Sequence, residues 1–324
     1  MAFGATAQRV VVAETLDGLD ERDPAAQRSR RDLRRIHLAI GTRTILRRAL
    51  VDMIGCDGDG DVDGGGDDDR EREPSSASHR PVRILELGAG DGSLMLGVAR
   101  ALDRRWGRVE LTLLDRQSLI DPATVEAYGE LGWTAVPRVV DVLAWADQAS
   151  DACAESAAAR WDLIVTTLFL HHFDGAALAR VLGAVERRSE RFFACEPRRA
   201  PLALAGSHLV GALGANAVTR ADAVLSVHAG FRGDELTRLW PGRADEWQVR
   251  EYRAGLFSHC LRADRRRTDF DAQLPGSSSN SSTWNSASPS SPPSSAPTSR
   301  APGTKVAGTR PSSARPLREP STSA

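Results

Sequence analysis

The sequence predicts an α/β fold of the doubly wound class, with a mostly parallel seven-stranded sheet that has an antiparallel edge strand. From Val82 onward, short apolar runs alternate with amphipathic segments, which is typical of parallel strands joined by helices. Two late runs, WQVREYRA and LFSHCLRA, can pair as the antiparallel edge. Helical spacing before the first strand and after the fifth predicts an N-terminal helical extension and a helical insertion.

Composition divides the chain of 324 residues unevenly. Residues 271–324 include 16 Ser and 9 Pro, a composition that cannot bury enough apolar surface to order a core. Residues 57–73 contain nine acidic side chains and many glycines, which indicates a solvated linker. The predicted organisation is listed in chain order: an N-terminal extension that also serves as a lid (1–55), an acidic linker (56–80), the main domain (81–263, with the insertion at 202–227) and a disordered Ser/Pro-rich tail (264–324).

Charge and cysteine usage exclude several classes of protein. The 42 basic and 43 acidic residues nearly cancel, so nucleic acid is not a favoured partner. The four cysteines are far apart and form no C-x-x-C pair, so no disulfide framework and no zinc site are expected. No run is long enough to span a membrane and no export signal is evident, so we expect a cytoplasmic protein.

Helical spacing is clearest in the N-terminal extension. Apolar residues recur at steps of three to four between Pro24 and Ile54, and Gly41 interrupts the pattern. Eight arginines between Arg28 and Arg48 lie among them. Such a basic helix surface is usually a solvated flank, and the alternative is a face that binds anions.

Five apolar runs predict the first five strands of the sheet. They are residues 82–88, 108–115, 139–142, 161–170 and 191–197. Asp121 before Pro122 marks the start of a helix, because the side chain can cap the first turn and proline suits its first position. The carboxyl ends of parallel strands meet at one edge of the sheet, where ligands of such folds bind.

The loop after the first strand carries the strongest functional signal. It reads ELGAGDG, with Gly88, Gly90 and Gly92 where a tight turn must let a ligand approach the backbone closely. The dinucleotide fingerprint G-x-G-x-x-G needs a small third residue at position 93, which is serine, and the third glycine comes one residue early. Glu86 precedes the loop, and its carboxylate would repel a diphosphate but attract an ammonium or sulfonium group.

These residues resemble the first motif of the class I S-adenosylmethionine-dependent methyltransferases, acidic-x-Gly-x-Gly-x-Gly. The resemblance extends from Val82 to Ala263 and implies S-adenosylmethionine as the cofactor. LTLLD resembles the second motif, so Asp115 would hold the ribose hydroxyls, although a dinucleotide's ribose would suit it equally. Asp141 and Val142 resemble the third motif and would contact the adenine, and Thr167 would border the cofactor at the end of the fourth strand.

His171 and His172 follow the fourth strand, on the edge where the methyl group is expected. Imidazole has a suitable pKa, so they are candidates for a base or for a group that orients the substrate. The segments expected to close over the acceptor are residues 34–50 and the insertion. The insertion, together with the residue that follows it, carries a mixture of polar residues suited to a largely apolar pocket: His208, Asn216, Arg220, Asp222 and His228.

The hypothesis is therefore a methyltransferase that acts on a small molecule, in the manner of bacterial enzymes for aromatic or polyketide-type secondary metabolites. Three alternatives stay open: an NAD(P)-dependent oxidoreductase, an RNA methyltransferase, and a non-catalytic protein that binds S-adenosylmethionine. No metal site is expected, because the calcium-like pattern that begins at Asp59 has Arg70 where a bidentate glutamate belongs. Neither the acceptor atom nor the oligomeric state follows from the sequence.

Overall fold

The computed structural model describes residues 8–54, 80–102, 106, 108–148 and 160–266. The predicted acidic linker at 56–80 lies outside this range except for Arg80, and so does the predicted tail from residue 267 onward. Residues 264 and 265 of the predicted tail are the last two residues of a strand, so the sheet extends further than expected.

Seven strands form one sheet, and the strands before the final pair alternate with helices. The strands are β1 (Val82–Leu87), β2 (Val109–Asp115), β3 (Trp133–Val139), β4 (Leu163–Thr167), β5 (Arg191–Pro197), β6 (Trp247–Ala254) and β7 (Ser258–Arg265). Their order across the sheet is β3-β2-β1-β4-β5-β7-β6. The first five strands are parallel, and β7 runs antiparallel to both of its neighbours, so β6 forms the outer edge. The predicted sheet with its antiparallel edge is confirmed.

Helices of the described residues cover both faces of the sheet. Those of the N-terminal extension are α1 (Thr15–Gly18), α2 (Pro24–Ala39) and α3 (Thr42–Ile54). Those between strands are α4 (Ser93–Ala99), α5 (Pro122–Gly129), α6 (Val142–Asp147), α7 (Gly175–Arg188), α8 (Pro201–Leu209), α9 (Ala217–Ala229) and α10 (Glu235–Leu239). Alternation along β1 shows the two layers, because Ile84 packs in one apolar cluster while Leu85 and Leu87 pack in the other.

Two boundaries differ from the prediction for identifiable reasons. The third strand lies at Trp133–Val139 and not at 139–142, because an edge strand buries only part of one face and its apolar signal is weak. Pro137 is tolerated there, since an edge strand leaves one row of backbone amides unpaired. The insertion is helical as predicted, but it divides into α8 and α9 around Gly214, which has a φ of +79°.

The N-terminal extension contributes α3 to the apolar core and its earlier residues to the wall of a cavity. Buried residues of α3, including Leu46, Leu50 and Met53, belong to the same apolar cluster as Phe193 of the sheet. The expectation that residues 34–50 act as a lid is therefore wrong for α3, which is part of the core. Among the described residues, no helix is both long and apolar enough to cross a membrane.

Candidate functional site

The glycine loop between β1 and α4 forms the floor of a cavity of about 580 Å³. Gly88, Gly90 and Gly92 all have positive φ, at +72°, +56° and +72°, which side chains disfavour. A β-carbon at Gly90 would meet no protein atom within 4 Å, and Gly90 lines the cavity. Glycine at this position therefore keeps the cavity open for a ligand that approaches the backbone.

Asp115 closes the loop from the end of β2. Its Oδ2 accepts a hydrogen bond of 2.9 Å from the Gly90 amide, and its Oδ1 accepts one of 2.9 Å from the Gln117 amide. Each carboxylate oxygen can accept a second bond, so both remain available to a pair of neighbouring hydroxyls. Burial raises the pKa of Asp115, and the two backbone bonds oppose that rise.

Glu86 is the most unusual group in the cavity wall. It is 2% exposed, and its Oε2 has no hydrogen-bond partner in the described part of the chain. Burial, followed by the charges of Asp115 and Asp91, raises the pKa of Glu86 to about 8. Glu86 therefore holds a proton near neutral pH, and a cation placed beside it would favour the ionised form, whereas a diphosphate would oppose it.

The other predicted cofactor residues divide into two groups. Asp141, Val142 and Thr167 line the same cavity. Oδ1 of Asp141 accepts hydrogen bonds from two backbone amides at the start of α6, and these bonds leave Oδ2 available. The buried hydroxyl of Thr167 has no hydrogen-bond partner among the described residues. Gly92 does not line the cavity: its carbonyl accepts a 2.8 Å bond from the Tyr128 hydroxyl, so its role is in the turn and the packing.

Both predicted histidines lie in a 3₁₀ turn, Leu170–His172, directly after β4. His171 is 3% exposed, with Nδ1 2.9 Å from Oε2 of Glu196 and Nε2 3.3 Å from Oε1 of Glu14. Burial lowers the pKa of His171, but the hydrogen bonds to Glu14 and Glu196 outweigh it and raise the pKa to about 9. Both ring nitrogens are engaged, so His171 is not a free base in this arrangement.

His172 is more accessible than its neighbour. Its side chain is 22% exposed, and Nδ1 lies 3.0 Å from Oδ2 of Asp17. When Nδ1 carries the hydrogen and donates it to Asp17, the lone pair is on Nε2. His172 is therefore the better candidate of the two for accepting a proton.

Sequence reasoning missed Glu196, the one acidic residue of β5. It is fully buried and accepts bonds from the backbone amides of Phe169, Leu170 and His171, at 3.1, 2.9 and 3.3 Å. Glu196 thus fixes the turn that presents the histidines. The available signal was an acid inside the apolar run RFFACEP, since a buried carboxylate needs several partners.

Residues 9–19 precede α2 within the predicted extension at 1–55, but the sequence analysis singled out none of them. Arg9 donates to the carbonyls of Ala229, Phe173 and His171 at 2.7, 2.7 and 3.1 Å. Further along, the buried carboxylate of Asp222 accepts from the amides of Thr15 and Leu16, both at 2.9 Å. These contacts hold Glu14 and Asp17 in the cavity wall beside the histidines.

The helical insertion supports this arrangement and contributes little lining of its own. Of its residues, Ser226 lines the cavity and donates to Oε1 of Glu14. Asn216 caps α9, and Asp222 binds the backbone of residues 15 and 16, so both act structurally. None of the five residues expected in the pocket lines the cavity: His208, Asn216, Arg220, Asp222 and His228. The extension at 1–55, which the sequence also predicts to be a lid, lines the cavity through residues 12–14 and 16–18 and, from α2, Arg30, Leu33, Arg34 and His37.

Comparisons with known proteins returned similar structures only. Neither a scan against protein-family models nor a search of curated proteins found a match. The crystal structure of the plantazolicin methyltransferase BamL in complex with triazolic desmethylPZN analog and SAH is 13% identical, with 78% of this chain and 94% of that chain covered and a TM-score of 0.48. Magnesium protoporphyrin IX methyltransferase (ChlM) from Synechocystis PCC 6803, with bound SAM, is 12% identical, with 78% and 88% covered and a TM-score of 0.38.

A third similar structure is an O-methyltransferase family protein from Burkholderia thailandensis, 14% identical, with 57% of this chain and 51% of that chain covered and a TM-score of 0.39. At these scores, any activity has to be inferred from the cavity itself. The structure itself shows the strand order β3-β2-β1-β4-β5-β7-β6 and a glycine loop after β1. The chain has the doubly wound, mostly parallel sheet with an antiparallel edge that its sequence predicts.

Proposed function

We propose that this protein transfers a methyl group from S-adenosylmethionine to a small molecule. The observation that carries the proposal is Glu86, a buried carboxylate without a partner beside an open glycine loop. S-adenosylmethionine has a sulfonium, an ammonium and a carboxylate group and no phosphate, and one of its cationic groups beside Glu86 would favour loss of the proton that Glu86 holds. An NAD(P) cofactor would bring its diphosphate close to Glu86, Asp91 and Asp115, and we disfavour it for that reason.

The chain offers a partner for each part of this donor. Asp115 retains acceptor capacity for the ribose hydroxyls, and Oδ2 of Asp141 is available to an amino group. Val142 and Thr167 would border the ring and the methionine portion. When bound, the donor supplies an activated methyl group that leaves a neutral thioether behind, so the protein's task is alignment and exclusion of water.

For the acceptor, we propose a hydroxyl group that His172 orients and deprotonates. Asp17 holds Nδ1 of His172, which fixes the tautomer that leaves Nε2 able to accept a proton. Residues 12–14 and 16–18 form one wall of the cavity, which favours a small acceptor over a nucleic acid. Arg30 and Arg34 of α2 are engaged with Gln117 and Asp91, which gives little support to an RNA methyltransferase.

The compartment that we propose is the cytoplasm. Cys195 and Cys260 face each other across β5 and β7, and both are free thiols. Such a pair persists in the reduced form where thiols are kept reduced.

Calorimetry with the purified full-length protein tests the donor assignment. We expect S-adenosylmethionine and its demethylated product to bind with one site per chain, and NAD not to bind. Saturable binding of NAD without binding of S-adenosylmethionine would refute the proposal in favour of the oxidoreductase.

Incubation with methyl-labelled donor and an extract of cells that contain the protein tests catalysis. We expect label in an organic-soluble product, and much less of it with His172→Gln. The exposed His208 on α8, changed to Gln, is the matched control and should leave the product unchanged. Donor binding without any labelled product would support the non-catalytic alternative.

A further inference from the structure

Three potential metal ligands meet in the cavity, from parts of the chain that are far apart in sequence. Glu14 precedes α1, and His171 and His172 follow β4. One carboxylate oxygen of Glu14 and one ring nitrogen of each histidine lie within 4.8 Å of one another. Among the described residues, this is the one group of three or more such side chains with that spacing.

The two ring nitrogens of His171 lie at different distances from the carboxylates that they face. Nδ1 lies 2.9 Å from Glu196, the usual length of a charged hydrogen bond, whereas Nε2 lies 3.3 Å from Oε1 of Glu14. Two ligands at about 2.1 Å from a tetrahedral zinc ion are about 3.4 Å apart. The separation of 3.3 Å between His171 and Glu14 fits a long hydrogen bond and also fits two ligands of one ion.

Each histidine also has a carboxylate behind it. Glu196 holds Nδ1 of His171, and Asp17 lies 3.0 Å from Nδ1 of His172. Histidines that bind metals nearly always donate their other N–H to a carboxylate or carbonyl, which orients the ring and places the lone pair on the ligating nitrogen. The arrangement occurs here twice, on adjacent residues.

The charges near these residues favour a cation. Glu196 is fully buried, and the side chain of Glu14 is 12% exposed. Both lie against His171, and Asp17 lies beside His172, but Arg116 lies 3.1 Å from Asp17 and the charge of Arg9 acts on Glu196. A dication between the histidines and Glu14 would therefore chiefly compensate Glu14, which contacts His171 and Ser226.

We propose that Glu14, His171 and His172 bind one divalent metal ion such as Zn²⁺. Two imidazole nitrogens and a carboxylate oxygen are ligands that zinc accepts, and three protein ligands leave a coordination position open. The site shares its cavity with the glycine loop. The hydroxyl oxygen of an acceptor could take the open position and would lose its proton to solvent more readily there. The cation, and not His172, would then activate the acceptor. This consequence rests on the proposed function, whereas metal binding does not.

Zinc binding by the full-length protein, stripped with EDTA and followed by calorimetry, tests the proposal. We expect one saturable site per chain. Glu14→Gln keeps the shape of the side chain and should weaken zinc binding about tenfold or more, and Glu196→Gln should weaken it about 10- to 100-fold through His171. His208→Gln on the exposed surface of α8 is the control for adventitious binding and should leave the affinity unchanged.

Cobalt(II) provides a second readout that is independent of catalysis. We expect visible absorption bands of cobalt in low-symmetry coordination with the wild-type protein, and loss of these bands with His172→Gln, a partly exposed position whose change should leave the fold intact. The proposal is overturned if zinc shows no saturable binding, or if Glu14→Gln and His172→Gln bind it as tightly as the wild type. His171 would then be a protonated bridge between two carboxylates. Binding of S-adenosylmethionine by the stripped protein reports on the proposed function separately.

Discussion

Replacing Gly90 with alanine separates the role of the loop in binding from its role in folding. Gly90 has a φ of +56°, and a β-carbon there would contact no protein atom within 4 Å. The folded state should therefore suffer only the left-handed strain of about 1–2 kcal/mol. For a domain of this size, that corresponds to a decrease in Tm of about 2–8 °C.

Donor binding should suffer more than stability, because the added methyl group projects into the cavity that Gly90 lines. Forcing an extra carbon into a close-packed contact typically costs about 1–3 kcal/mol, which is about a 5- to 150-fold loss of affinity. Calorimetry with S-adenosylmethionine measures this loss, and thermal unfolding without ligand measures the strain.

Gly41→Ala is the matched control. Gly41 lies between α2 and α3 with a φ of +75°, has no atom within 4 Å of a built β-carbon, and does not line the cavity. It should show a similar decrease in Tm and unchanged donor affinity. Wild-type affinity in Gly90→Ala, or an equal loss in Gly41→Ala, would contradict the assignment of this loop to the donor.

Three further perturbations test other parts of the structure. Burial raises the pKa of Glu86 from 4.5 to about 8, so the folded protein holds an extra proton between these pH values. The free energy of unfolding therefore decreases as the pH rises from about 4.5 to about 8. Glu86→Gln should remove this decrease, which is measured as the change of Tm between about pH 5 and 9. Asp222→Ala should expose the amides of residues 15 and 16 to faster hydrogen exchange, and unchanged exchange would refute the docking described above. Gly242→Ala would place a carbon 2.3 Å from the Trp247 ring and should lower the free energy of unfolding by about 1–3 kcal/mol, whereas a neutral effect in chemical denaturation would count against this packing.

The parts of the fold that local pattern controls were predictable from the sequence. The buried parallel strands, the glycine loop and the start of α5 at Pro122 depend on residues within a few positions of each other. Edge strand β3 was misplaced because only Trp133 and Ala135 are buried in it, so an apolar pair further along gave the stronger signal. Local periodicity is a poor guide where a strand has one neighbour and little burial.

The site was predictable only where its residues follow strands of the sheet. Asp115 and the histidines lie at strand ends, where such folds bind ligands, so their convergence could be expected. Glu14 contacts His171 across 157 positions of sequence, and no local pattern carries that information. Glu14 and Asp17 also lie in an extended stretch and a four-residue helix, which have no periodicity to detect.

The pairing of Thr15 with Asp222 has a consequence for how the protein is made. These residues are 207 positions apart, so the segment that bears Glu14 and Asp17 emerges from the ribosome long before its anchor in α9 has been synthesised. The sheet strands through β5 are all translated in between, and a loop of this length closes slowly because its contacts are so distant. We therefore expect the cavity wall that contains Glu14 and Asp17 to form late, after the surrounding sheet is complete.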